Sequence, residues 1–124
     1  MDNKTFLGLR TTIYKVSDLN TAKNWYTNAF DTQCYFDEPF YVGFNIGGYE
    51  LGLLPDDDST KKGENVLSYW GVEDIHKVYN KLIIHGATPH EKPTNVGGKL
   101  MVATVKDPWN NIIGLIYNPE FKLQ

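Results

Sequence analysis

The 124 residues contain one cysteine, one arginine and two methionines. The lone Cys34 forbids an intrachain disulfide framework and suits a reducing compartment. Arg10 is the single arginine, and 12 Lys and Arg stand against 15 Asp and Glu, for a net charge of -3 and a pI near 5.5. No basic stripe is present, which argues against a nucleic-acid partner. No apolar run approaches the roughly 20 residues of a membrane span. Residues 1–4 open no signal-peptide pattern. These absences leave a soluble cytoplasmic domain as the expectation, with no membrane partner.

What is present is ordinary for a folded chain. Hydrophobic residues make up 41% and charged residues 22%, close to globular averages, so wholesale disorder is excluded. The length suits one domain, taken as 1–124. Leu9–Val16 is rich in β-branched and aromatic residues and predicts a strand. Ser17 or Asp18 then caps a helix, because a short oxygen side chain accepts from the free N–H groups of the first turn. Leu19, Ala22, Tyr26 and Phe30 follow at helical spacing. Cys34–Asp37, Phe40–Ile46 and Tyr49–Leu54 read as strands. Gly47-Gly48 between the last two is a two-residue hairpin signal. The polar stretch 55–64 reads as an exposed loop.

The pattern then starts again. Asn65–Val72 is strand-like, Asp74 opens a second helix carrying Ile75, Val78, Tyr79 and Leu82, and Gly86 is placed to stop it. Ala87–Lys92, Lys99–Lys106 and Ile112–Tyr117 predict three more strands, with residues 107–111 as a turn. Val16-Ser17-Asp18-Leu19 matches Val72-Glu73-Asp74-Ile75 at an offset of 56 residues, the difference between 74 and 18. The chain therefore reads as two modules, about 6–55 and 64–118, each of which needs a partner to cover its sheet.

These motifs, with Asp107-Pro108-Trp109-Asn110-Asn111-Ile112-Ile113-Gly114 near the end, resemble the vicinal oxygen chelate superfamily. That group includes glyoxalase I, bleomycin-resistance proteins, fosfomycin-resistance enzymes and extradiol dioxygenases. The resemblance spans nearly the whole chain. It implies an α+β fold in which two βαβββ modules form a curved, mostly antiparallel eight-stranded sheet around a cleft, in a homodimer. It also implies four metal-ligand stations, which map to Thr11, Gly52, Leu67 and Gly114. Glycine and leucine offer no donor, and a lone hydroxyl is a poor one. Metal-dependent isomerase and dioxygenase chemistry is therefore disfavoured, and no metal or cofactor is expected.

The histidines do not change this. His76 and His85 stand nine positions apart on the second helix, too far to share an ion. His90 sits on a predicted strand with either a cleft or a solvent role. Asp56-Asp57-Asp58 lacks the spacing and glycine of an EF-hand loop.

Strand alternation, anchored on the family stations, assigns the cleft face. Ile13, Lys15, Asn45, Glu50, Leu67, Tyr69, Ile112 and Ile116 fall on it, with Tyr41 placed opposite Leu54 by the two-glycine turn. Met101 and Ala103 are added from family position. This mostly apolar and aromatic lining fits a small-molecule pocket, though the same side chains could fill the cleft as core. Two functions are carried forward. One is a metal-free binding protein of the bleomycin-resistance type that sequesters or senses an aromatic or amphipathic ligand. The other is a lyase or isomerase related to lactoylglutathione lyase, with Glu50 as general base if burial raises its pKa.

Overall fold

The computed structural model describes residues 5–57 and 59–121. The opening four residues and the last member of the acidic triplet 56–58 lie outside them. The chain divides into two compact units, Met1–Asp58 and Ser59–Gln124. Each unit holds one helix and one four-stranded sheet.

In the first unit, β1 (Thr11–Val16) leads into α1 (Leu19–Phe30), followed by β2 (Cys34–Glu38), β3 (Tyr41–Ile46) and β4 (Tyr49–Pro55). The sheet order is β1-β4-β3-β2. The helix between β1 and the later strands lets β1 lie parallel to β4, while the two hairpins are antiparallel. The second unit repeats this with β5 (Tyr69–Gly71), α2 (Ile75–Ile84), β6 (Thr88–Gly97), β7 (Leu100–Lys106) and β8 (Ile112–Tyr117), in the order β5-β8-β7-β6. The eight strands thus make two mixed four-stranded sheets rather than one ladder. Two of the three pairings in each are antiparallel.

The repeated motif has a physical basis. Asp18 and Asp74 are the N-caps, each accepting a 3.1 Å hydrogen bond from the backbone N–H three residues on, at Thr21 and Lys77. Of the two candidate caps for α1, Asp18 serves. Gly86, at φ 107°, takes the left-handed position just past α2.

Each helix covers one face of its sheet. In the first unit Tyr14, Val16, Ala22, Tyr26, Val42, Phe44, Leu51 and Leu53 are buried. The Tyr26 ring stacks between Tyr14 and Phe30, with 5.7 Å between centroids on either side. In the second, Ile75, Leu82, Ala103, Val105, Ile113 and Leu115 do the same. The other face of each sheet carries the candidate site residues.

Three expected strands differ in extent by more than one residue. The first begins at Thr11, not Leu9. The fifth is only Tyr69–Gly71: its ladder starts where Tyr69 meets Gly114, and Ser68 leans its carbonyl over Gly114 instead of continuing beside β8. Leu67 is therefore a loop residue, which alternation does not place. The sixth runs on to Gly97, with two prolines and three register shifts that an edge strand tolerates.

Candidate functional site

The face of the first sheet away from α1 is built on a pair of glycines. Gly43 on β3 lies directly opposite Gly52 on β4. Both are buried, and neither has a positive φ, so space rather than backbone conformation selects them. A Cβ on Gly52 would collide with the hydroxyl of Tyr41 and stand 2.6 Å from its Cζ. A Cβ on Gly43 would lie 2.8 Å from Glu50 Oε2 and 3.0 Å from Tyr35 Cε1. Two tyrosines and a glutamate thus lie flat over bare backbone.

Glu50 is the centre of this arrangement. Thr11 Oγ1 donates to Oε1 at 2.8 Å, and the Tyr35 hydroxyl donates to Oε2 at 2.5 Å, the range of charge-assisted O–H to carboxylate bonds. The Tyr41 hydroxyl is a third donor. The bond from Tyr35 is the main force holding the Glu50 pKa below the ordinary carboxylate value; partial burial opposes it, and Thr11 and Tyr41 reinforce it. Tyr41 is pushed up to about 12, first by burial and then by its bond to Glu50. Tyr35 is raised chiefly by its bond to the same carboxylate.

These donors reverse the expectation for Glu50 as a base. A general base at neutral pH needs a raised pKa, and three hydroxyls lower this one. Because the folded carboxylate gives up its proton more readily than the unfolded one, its contribution to stability is present above about pH 4 and is lost as the pH falls through the lower folded value. Tyr35→Phe should move the Glu50 pKa back toward the ordinary value in an NMR titration of the side-chain carboxyl. An unchanged titration would remove Tyr35 as the main cause.

Beside Glu50 runs an open groove of about 410 Å³, lined by Tyr35, Phe36, Phe40, Tyr41 and Leu54. Phe36 is at its middle, with ring centroids 6.0 to 6.4 Å from those of Tyr35, Phe40 and Tyr41. Tyr35 and Phe40 are 64% and 63% exposed, an unusual exposure for large aromatic side chains in one patch. A shift in register between Cys34 and Phe36 allows Tyr35 to reach Glu50 while Phe36, opposite Gly43, faces the same side.

The structure brings together part of the expected lining. Ile13, Lys15, Asn45, Glu50 and Tyr41 do share this face. Asn45 lies opposite Glu50, Ile13 opposite Gly52, and Lys15 opposite Leu54. Asn45 works for the hairpin, its Oδ1 accepting from Gly48 N–H at 2.8 Å. Tyr35, Phe36 and Phe40 lie outside the lining expected from alternation; the available signal is four aromatics within residues 35–41.

In the second sheet Tyr69, Gly114, Ile112 and Ile116 share a face, and the Tyr69 ring covers Gly114. Met101 does not join them. It pairs with Tyr117 and Ala103 pairs with Leu115, on the α2 side; Thr104, opposite Gly114, takes the position instead. His90 Nδ1 lies 2.7 Å from the buried Thr104 hydroxyl and its Nε2 3.3 Å from Glu64 Oε1, a local network that ties the loop before β5 to β6.

The residues at the family's metal stations do not fit a divalent ion. Gly52 and Gly114 carry no donor, and the space in front of each is occupied by a tyrosine ring. Thr11 spends its hydroxyl on Glu50. Leu67 is aliphatic. Among the described residues, no three His, Cys, Asp or Glu side chains cluster at a metal-binding distance, and no helix is long and apolar enough to cross a membrane.

Solved structures share this architecture. A glyoxalase-related enzyme from Fulvimarina pelagi superposes with a TM-score of 0.78 at 14% identity, over 96% of this chain and 94% of its own. A superfamily member from Sphaerobacter thermophilus DSM 20745 gives 0.75 at 19%, over 93% and 100%. The genomically encoded fosfomycin resistance protein FosX from Listeria monocytogenes gives 0.73 at 17%, over 94% and 96%. At these identities the likeness is one of fold. No curated protein matches the chain. The model of the Glyoxalase/Bleomycin resistance protein/Dioxygenase superfamily matches residues 8–115, and with that match and this fold the chain belongs to the superfamily.

Proposed function

We propose that this is a metal-free small-molecule-binding member of the superfamily, which sequesters or senses an aromatic or amphipathic ligand without breaking a bond in it. The observation that carries the reading is the aromatic groove of the first unit. Five side chains offer rings and a methyl-bearing wall to it, and Tyr35 and Phe40 keep more than half of their surface exposed. The tyrosine rings over Gly52 and Gly114 support it from the other direction, since they fill the stations where relatives would hold catalytic ligands. A glyoxalase-type reaction finds no raised carboxylate at Glu50.

The proposal includes a homodimer with its cleft, in the cytoplasm, and no nucleic-acid or membrane partner. Phe6, Leu7 and Leu9 ahead of β1 are large apolar side chains that stand exposed within four residues, which supports self-association. Sedimentation should then give twice the 14.1 kDa chain mass. For binding, a screen of small aromatic compounds followed by NMR should shift the amides of β2 and β3. Tyr41→Ala should weaken the hits by about tenfold, a little over 1 kcal/mol. Binding that Tyr41→Ala leaves untouched, or shifts confined elsewhere, would defeat this assignment of the site.

A further inference from the structure

We infer that the groove on the first unit recognises an organic cation, an amine or quaternary ammonium whose charge sits on the rings of Tyr35, Phe36, Phe40 and Tyr41 with the Glu50 carboxylate behind them. The inference rests on the proposed binding role and names the ligand class for the same site.

Three observations point to positive charge. The first is composition: four of the five lining residues are aromatic, and ring faces attract cations. Tyr35, Phe40 and Tyr41 pack around Phe36 at centroid distances of 6.0 to 6.4 Å, so the four rings form one continuous aromatic surface along the groove. The second is the direction of the hydroxyls. Tyr35 and Tyr41 both donate toward Glu50. Each phenol O–H aimed at a carboxylate draws negative charge onto its oxygen and ring, which strengthens the ring face as a cation acceptor. It also leaves neither hydroxyl proton for an anionic ligand. The third is the balance of charges on the face. Glu50 and Glu38, which stands opposite Tyr41, are acidic; Lys15, opposite Leu54, is the basic residue in register with the lining. Asp37 pairs in register with the buried Val42 and bonds Lys23 on α1 at 2.9 Å. Arg10, ahead of β1, donates to the carbonyl of Leu7 at 2.9 Å and keeps its charge.

The chemistry therefore fits a soft, weakly hydrated cation better than a metal ion, which would need oxygen donors with free lone pairs converging on it. Two of the carboxylate's lone-pair positions are already taken at 2.8 and 2.5 Å.

The test uses benzyltrimethylammonium, benzyl alcohol and benzenesulfonate as probes against the full chain, read by amide shifts in NMR. Benzyltrimethylammonium should shift β2, β3 and β4 and bind at least tenfold more tightly than benzyl alcohol. Benzenesulfonate should not bind there. Glu50→Gln should weaken the cation at least tenfold and weaken benzyl alcohol by a clearly smaller factor. Lys15→Gln should tighten the cation about threefold, a gain that misfolding cannot imitate. Equal binding of the cation and the alcohol, insensitive to both variants, would overturn the cation assignment while leaving the groove as a ligand site. Binding by benzenesulfonate in the groove would also overturn it. Failure of all three probes would overturn the cation assignment, and the binding role as well if the wider aromatic screen also failed. A change in sedimentation with Tyr41→Ala, and no probe binding, would make the face a contact between copies.

Discussion

Asp107→Ala should destabilise the second unit by about 3 kcal/mol and lower the melting temperature by roughly 10 °C. Asp107 is 3% exposed and follows β7 directly, opening the turn into β8. Its Oδ1 accepts from Trp109 N–H at 2.9 Å and Asn111 N–H at 2.8 Å, and its Oδ2 accepts from the Asn111 amide at 3.0 Å. Alanine would remove the acceptor shared by two backbone donors and the Asn111 amide in a partly buried turn, and each lost bond costs on the order of 1 kcal/mol. Asn110 at φ 70° holds a left-handed turn position that those bonds keep in place. Asp107→Asn keeps one acceptor and loses the charge, so about half the loss is expected. Chemical denaturation checks both. A loss below about 1 kcal/mol for alanine would mean that solvent reaches the turn and satisfies its N–H groups.

The second large effect concerns Gly52. Replacing it with glutamate writes the family's ligand into the station where this chain has none. The expected result is damage, not a metal site. The new side chain would occupy the volume of the Tyr41 ring, forcing that ring out of its partly buried place and away from Glu50. Overpacking of this kind costs about 2 kcal/mol. No divalent ion should appear on metal analysis, because Thr11, Leu67 and Gly114 add no carboxylate or imidazole. The cause can be isolated with Tyr41→Ala. If the collision dominates, the double variant should be at least 1 kcal/mol more stable than the two single losses predict. Stoichiometric metal bound by Gly52→Glu would overturn the donor argument. Simple additivity with Tyr41→Ala would overturn the steric one.

The parts of the fold that the sequence made legible were those set by short-range rules. Asp18 and Asp74 cap helices because each precedes an apolar periodic run. Gly47-Gly48 pins the register that sets Asn45 across from Glu50, and from there alternation finds Tyr41 and Ile13. The readings that departed from the structure needed information that alternation does not carry. The bulge at Cys34/Phe36 turns two consecutive aromatics toward one face, and no two-residue period encodes that. Leu67 falls on the cleft face only if the strand extends ahead of Tyr69, where it in fact starts. Met101 is a different case. The turn at 107–111 sets Lys106 opposite Ile112, so the even-numbered residues of β7 share a face with Gly114, and this register departs from the family position. The pKa direction of Glu50 depends on hydroxyls from three separate strands.

The irregular strands β2 and β6 occupy edges of their sheets. A straight edge offers a row of unpaired backbone groups on which another extended chain can grow. The bulge in β2 breaks that row, and the acidic Asp37 and Glu38 follow it at once. In β6, Pro89 and Pro93 remove donors, and three shifts in pairing interrupt the remainder. The distortion that aims Tyr35 at Glu50 therefore also denies intruding strands a template, and straightening it would be expected to trade the aromatic groove for fibrous self-assembly.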